Sequence, residues 1–305
     1  MNLLALLRTP PPAHAFSPGG GELLYGQLNG RRDALVRVER APLPGDWFRL
    51  GPVGLLQVDR QVVASALGQL LRRLEKPPQQ ASLVAPNAWM RSVVVETGGL
   101  PRQRAEAEEV VRWRLKKLLP CRPEDVRLDF IPGGENGRML VVLALDRPLS
   151  AVEEVFSAAG VHLGRMEPAA LALTALLPVS ATPVLLAAVE EHALSLVVLA
   201  GGKPVLLRHK PLPADSQRAE VFMTREITRT LAHAREQEGL SGPVVVWLAS
   251  TDGERGAEVE RWADGEPGVT VNRLAVGAGR VPPGSGVSDV RLWSLLGTAW
   301  AGETR

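Results

Sequence analysis

The sequence predicts an α/β protein built from two α+β lobes, with a smaller α+β unit between them. Three observations carry that prediction. The chain opens on strand-like runs broken by glycine turns and followed by an amphipathic helix. Its middle repeats the order strand, strand, helix twice. Its last part runs three strands, a long helix and an apolar strand. A length of 305 residues leaves room for one large domain or two to three lobes with substantial cores.

In the first part, "AHAFSPGGGELLYGQLNGRRDALVRVERAPLP" reads as strand, glycine-rich turn, strand, turn, strand. Asn29-Gly30 is a tight-turn signal between two strand-like runs. In "VDRQVVASALGQLLRRLEK", Val62, Val63, Ala66, Leu67, Leu70 and Leu71 form one helical stripe. Asp59 is placed to cap that helix, and Pro77-Pro78 prevents its continuation.

In the middle unit, "ASLVAP" and "WMRSVVVETG" are β-rich. A basic helix over 104–119 follows, with Ala107, Val110, Val111, Leu115, Leu118 and Leu119 on its apolar stripe and Pro120 ending it. Glu108 and Arg112 stand four apart, a supporting pair. "VRLDFIP" and "RMLVVLAL" are strands around the turn "GGENG", and "PLSAVEEVFSAAG" is a helix closed by Gly160. The last part starts with the helix "EPAALALTALL", with Pro168 in its first turn. It continues as a three-strand meander turning at Gly201-Gly202, then the helix "AEVFMTREITRTLAHAREQEG" and the buried strand "PVVVWLAS". A short helix, the strand "VTVNRL", a Pro/Gly-rich loop at 276–286 and the helix "DVRLWSLLGTAWA" complete it.

Charge and cysteine usage narrow the function classes. Lys and Arg number 35 against 33 acidic residues, a net +2, so attraction to nucleic acid or anionic lipid would need a local patch. Cys121 is the single cysteine, which rules out an intramolecular disulfide and fits a reducing compartment. The start "MNLLALLRTPPP" has too short an apolar run for a signal peptide and no basic residues before it. No run approaches the roughly 18 apolar residues of a spanning helix. The expectation is a cytoplasmic protein.

Residues 81–177 resemble the PilM-like proteins, cytoplasmic actin-like components of type IV pilus assembly, and especially their short, divergent members. The carrying stretches are "SLVAPNAWMRSVVVE", "EEVVRWRLKKLLPCRPEDVRLDF" and "AAGVHLGRMEPAALAL". The resemblance is weaker outside them. It implies a reduced actin-like, FtsA-like fold. Residues 1–80 would begin the first lobe and 81–165 would form an inserted module. Residues 166–305 would form the second lobe, with the C-terminal helix (Leu292, Trp293, Leu295, Leu296, Trp300) returning to the first.

The departures from that pattern bear on activity. Actin-like ATPases hold phosphates at two D-x-G turns, where backbone N–H groups cradle the anion and the Asp positions Mg²⁺. Here the first turn is Phe16-Ser17-Pro18-Gly19-Gly20-Gly21, with no Asp, and Pro18 lacks an N–H. The second is Val189-Glu190-Glu191-His192, whose carboxylates would repel a triphosphate. The adenine-side glycine pair is replaced by Ala249-Ser250-Thr251-Asp252-Gly253. The expectation is a pseudo-ATPase with no enzymatic activity and no cofactor. Were ATP bound after all, Gly19, Gly20, Gly21 and Gly253 would be the residues nearest it. Otherwise the Gly19–Gly21 loop reads as a flexible turn.

Other chemistry finds no support. His162, His192 and His209 lack metal-ligand spacing. Cys121 follows a helix C-terminus, where the dipole disfavours a thiolate. Glu190 and Glu191 are adjacent strand positions whose side chains face opposite sides. The cluster from Arg112 to Lys117 reads first as a solvated helix face, and Trp113 as half-buried packing with an interface role as the alternative.

The resemblance implies a non-enzymatic scaffold that binds the cytoplasmic N-terminal segment of a PilN-like bitopic inner-membrane protein. It would be held at the inner membrane through that partner, with the pilus assembly motor complex as a further contact. On this reading the partner surface is the strand edge at Trp89, Met90 and Arg91 with the helix face of Arg112, Trp113 and Lys116. The alternatives are a nucleotide-binding actin-like ATPase of the same machinery and a GspL-like cytoplasmic domain of a type II secretion system. The GspL-like family carries a transmembrane helix downstream, and none follows here up to Arg305.

Overall fold

The computed structural model describes residues 11–132, 138–178, 180, 182–190, 192–237, 241–250, 253–277, 279–285 and 290–299. The expectations placed on residues 1–10, on the 133–137 turn, on Glu191, on Thr251-Asp252 and on Trp300 lie outside these residues.

The first lobe starts with strands β1 (His14–Gly19), β2 (Glu22–Leu28) and β3 (Leu35–Pro42). Gly20 and Gly21 turn β1 into β2 with φ of +57° and +74°, which glycine adopts without strain. The Asn29-Gly30 turn is longer than expected. It spans the six residues between β2 and β3, held by Asn29 Nδ2 donating to Asp33 Oδ1 at 2.6 Å, and its left-handed residue is Arg32. A hairpin of β4 (Phe48–Gly51) and β5 (Gly54–Val58) leads into α1 (Arg60–Arg73). Asp59 caps α1, accepting from the Gln61 and Val62 amides, and Val63, Ala66, Leu67 and Leu70 are buried. β6 (Gln80–Ala85) follows.

The inserted module comprises β7 (Arg91–Glu96), α2 (Arg104–Leu115), β8 (Val126–Pro132) and β9 (Arg138–Leu145). The chain then returns through α3 (Asp146–Ala158), β10 (His162–Pro168) and α4 (Ala169–Thr174). The module's limits differ from 81–165. β10 pairs in parallel with β6, from His162 beside Gln80 to Pro168 beside Ala85, so both belong to the first lobe's sheet, ordered β10-β6-β1-β2-β3. α3 packs Val152, Val155 and Phe156 into the first-lobe core beside Phe16. The module's own sheet is β7-β9-β8.

Two further corrections fall in this module. Asn87–Trp89 forms a single 3-10 turn instead of the start of a strand. α2 stops at Leu115, short of Pro120, where the Leu118 and Leu119 amides both turn back to the Leu115 carbonyl. Leu118 is consequently off the apolar stripe and exposed.

The second lobe runs β11 (Val184–Val189), β12 (Ala193–Ala200), β13 (Lys203–Pro211), α5 (Ser216–Gln237), β14 (Val244–Ser250), α6 (Gly253–Asp264) and β15 (Val269–Arg273). Its sheet order is β13-β12-β11-β14-β15, which makes β11 the central strand, buried at every position. One face packs on α5 and α6 through Met223, Ile227 and Val259. The other face packs on α4 and on the last helix, α7 (Val290–Thr298).

α7 and α4 join the lobes. Leu292, Leu295 and Leu296 enter the first-lobe core beside Leu24 and Val84, while Trp293 turns to the second lobe's sheet. The helices cross at Gly297. A side-chain carbon there would lie 2.1 Å from the Ala172 carbonyl oxygen, so only glycine admits the approach. Pro168 closes β10, one place before α4, instead of lying within its first turn.

Candidate functional site: a groove between the inserted module and the first lobe

Strand edges define the site. β8 is an outer strand of the module's sheet and β10 an outer strand of the first lobe's sheet, and both line one groove of about 490 Å³. Val142 to Ala144 of β9 and Leu149 of α3 contribute apolar lining, as do Phe130 of β8 and Leu171 of α4. Each wall thus carries backbone groups on a side with no strand neighbour among the described residues.

The charged side chains of the groove are paired with one another. Arg104 bonds Asp129 at 2.6 Å, with its guanidinium over the Phe130 ring. Arg127 holds Glu153 at 2.6 Å and Asp146 at 2.8 Å. Arg165 reaches Glu167 at 2.7 Å. Glu167 stands where β10 meets α4 and accepts from the Thr298 hydroxyl of α7. Burial pushes its carboxyl above the ordinary carboxylate range, against the opposing pull of Arg165 and Thr298.

The residues expected to form the partner surface do not assemble. Met90 lines the groove. Trp89 does not: it is 1% exposed and lies edge-on to Trp47 and Phe48, with ring centres at 5.5 and 5.9 Å. The 3-10 turn rotates it inward and the β4–β5 hairpin closes over it, so the expectation of an open edge at Trp89 is overturned. The edge that meets the groove is β8, on the far side of the sheet from β7. Arg91 lines a different cleft, between the lobes, where the Ser92 hydroxyl donates to the Leu207 carbonyl of β13. Arg112 is no free rim charge. Its guanidinium bonds Glu108 Oε1 at 2.7 Å and the carbonyls of Pro123 and Val126 at 2.5 and 2.8 Å, tying α2 to the approach of β8. Trp113, expected to be half-buried, is 67% exposed beneath the Arg114 guanidinium. Lys116 is exposed as well, and neither residue lines the groove. Arg165, Glu167 and Phe130 were not singled out from the sequence. A glutamate ahead of a helix-leading proline, in "RMEPAALAL", was the available signal.

The nucleotide positions are dispersed. Arg291 of α7 lies across the Gly19–Gly21 turn, donating to the Gly19 carbonyl at 2.8 Å and to Glu22 at 3.1 Å. A side-chain carbon on Gly20 would come within 2.6 Å of that guanidinium. Glu190 and His192 border the interlobe cleft, about 1020 Å³ in volume, together with Asn87, Arg91, His209 and Arg229. Neither Gly19–Gly21 nor Gly253, which opens α6, lines that cleft.

His209 of this cleft gives a pH-dependent expectation. Its ring bonds the buried Ser195 hydroxyl at 2.9 Å, and burial lowers its pKa to about 4. The unfolded chain, with an ordinary histidine pKa near 6.5, takes up the proton first as pH falls. Stability is therefore undiminished by His209 above about pH 6.5 and decreases between there and pH 4, by about 2–3 kcal/mol in all. In urea titrations across this window, His209→Gln should lose less stability than the native chain. Parallel curves would show that His209 is not buried in the neutral form.

Among the described residues, no group of three side chains is placed to hold a metal ion, and no helix is long and apolar enough to cross a membrane.

No protein-family model and no curated protein matches the chain. Among solved structures it is similar to a chain of the PilM–PilN type IV pilus biogenesis complex, with a TM-score of 0.75, 21% identity, and coverage of 95% of this chain and 98% of that one. It is also similar to the cytoplasmic domain of EpsL, an inner membrane component of the type II secretion system of Vibrio cholerae. There the TM-score is 0.51 at 10% identity, over 94% of this chain and 93% of that one. A Bacteroides thetaiotaomicron protein with an actin-like ATPase fold gives 0.53 at 9% identity, over 93% and 94%. The chain has the actin-like fold in the form seen in PilM, with two five-stranded sheets joined by α4 and α7.

Proposed function

We propose that this protein is a non-enzymatic scaffold of a type IV pilus or related secretion machine. It receives the cytoplasmic N-terminal segment of a PilN-like, single-span inner-membrane protein in the β8–β10 groove. The observation that carries this reading is the groove itself. Two strand edges border an apolar lining whose charges are already paired, which suits an extended segment with apolar anchors. The likeness to a chain of a PilM–PilN type IV pilus biogenesis complex supports the choice of partner. On this reading the protein is cytoplasmic and lies at the inner membrane through that partner.

The test is titration with the cytoplasmic N-terminal segment of a PilN-like single-span protein from the same organism. Met166→Arg, which puts a bulky charge on the β10 wall, should weaken capture at least tenfold, within the 1–3 kcal/mol of an interface anchor. Met166 packs at the edge of the first-lobe core, so the melting profile of the variant is recorded alongside. Unchanged capture would remove the groove from consideration.

The scaffold operates without ATP. Arg291 across the glycine turn, the missing Asp at both turns and Glu190 at the second support this. Calorimetry with Mg-ATP should give no heat, and 1 mM Mg-ATP should leave the melting temperature unmoved. A nucleotide at 100 times its Kd would stabilise the fold by roughly 2.7 kcal/mol. A micromolar Kd would restore the ATPase reading.

A further inference from the structure

The sequence of residues 1–8, MNLLALLR, has no role in the scaffold as described so far. It is joined through Thr9 and three prolines to β1, and the ring of Pro12 lies against β10. A side-chain carbon on Gly164 would meet Pro12 Cγ at 3.7 Å. Gly164 sits at the register slip between Leu163 and Arg165 of β10, and all three line the groove. The described residues that follow the segment therefore lie at the rim of the groove. Ten extended residues span about 33 Å, and the β10 wall from Leu163 to Pro168 is about 20 Å long, so the segment can reach its full length.

The chemistry of the two also matches. Leu3, Leu4, Leu6 and Leu7 are apolar, and no charged side chain occurs before Arg8. The groove presents apolar lining from five elements, while its arginines and carboxylates are committed to each other through Arg104–Asp129, Arg127–Glu153 and Arg165–Glu167. A charged ligand would have to break those pairs, whereas a run of leucines leaves them intact.

We propose that residues 2–8 dock in the β8–β10 groove of their own molecule and compete there with the partner's segment. This rests on the reading that the groove receives such a segment. A short tether gives the docking segment an effective concentration in the millimolar range. A segment whose free peptide binds at about 100 μM would then fill the groove about ten to one, and the partner's apparent affinity would be about tenfold lower. The groove would thus be filled until a partner's segment displaces residues 2–8.

The experiment uses the full chain, a chain lacking residues 1–9, and two peptides: residues 1–10 of this chain and the cytoplasmic N-terminal segment of a PilN-like single-span protein from the same organism. The shortened chain should bind the 1–10 peptide, and the same peptide carrying Leu4→Asp and Leu7→Asp should not bind. Shortening should strengthen capture of the PilN-like segment about tenfold, and Leu4→Asp with Leu7→Asp in the full chain should do the same without removing residues. If the shortened chain captures the PilN-like segment but ignores the 1–10 peptide at millimolar concentration, self-docking is overturned and the groove reading stands. If it captures neither, both readings fall. A concentration-dependent dimer of the full chain, absent from the shortened one, would overturn docking within one molecule by placing the segment in a second copy.

Discussion

Trp89→Ala is expected to destabilise the protein by about 3–5 kcal/mol, as removal of a fully enclosed large aromatic does. The indole lies between Trp47 and Phe48, and the β4–β5 hairpin is fitted so closely over it that a side-chain carbon on Gly54 would lie 2.2 Å from the Trp89 carbonyl oxygen. The hairpin cannot settle into the space without moving its backbone, so a cavity remains. Its indole N–H meets no acceptor among the described residues, which makes the loss one of packing alone. Trp89→Phe should consequently retain most of the stability. Urea unfolding of both variants is the measurement. An alanine variant within 1 kcal/mol of the native chain would mean that Trp89 stands at the surface after all. With Trp89 inside, Trp89→Phe should leave partner capture unchanged.

Gly297→Ala is expected to cost about 2–3 kcal/mol, even though alanine gains roughly 1 kcal/mol over glycine in a helix interior. The added methyl meets the Ala172 carbonyl, a backbone group of α4 that no side-chain rotation can move aside. α7 must shift off α4, and with it the leucines that enter the first lobe and the tryptophan that enters the second. Gly68→Ala in α1 is the control. There the new methyl would meet only the tip of Arg72 at 3.5 Å, and helix propensity should prevail as a gain of up to about 1 kcal/mol. Equal responses at the two positions would show that the helix crossing is not tight.

Local chemistry made much of the fold readable. The stripe and Asp59 cap of α1, the Gly201-Gly202 turn with φ of +55° and +74°, and the long helix α5 all depend on neighbours within a few residues. What the chain concealed depends on distant contacts. Trp89 has the sequence context of an edge residue, and only a hairpin some forty positions earlier buries it. The pairing of β6 with β10 fixes the module's limits, and no periodicity in either strand announces it. The candidate site was the least legible part. Its walls come from β8, β9, α3, β10 and α4, and none of those segments carries a motif for it. Arg112, read as a solvated charge, is held by two carbonyls that lie beyond the end of its own helix.

That parallel pair has a kinetic consequence. β6 ends at Ala85 and β10 begins at His162, so their pairing must close a loop of 76 residues, those from 86 to 161. For an unstructured loop of that size the length-dependent entropy amounts to about 4 kcal/mol. The module removes most of this term if it folds first. In its sheet Arg91 pairs with Leu143, which brings the two ends of the module side by side. The remaining free chain is then a short link on one side and α3 on the other. A module that forms from nearby strands in this way acts as a clip on the refolding chain. Weakening β7–β9 should therefore slow assembly of the first lobe, a sheet to which neither strand belongs.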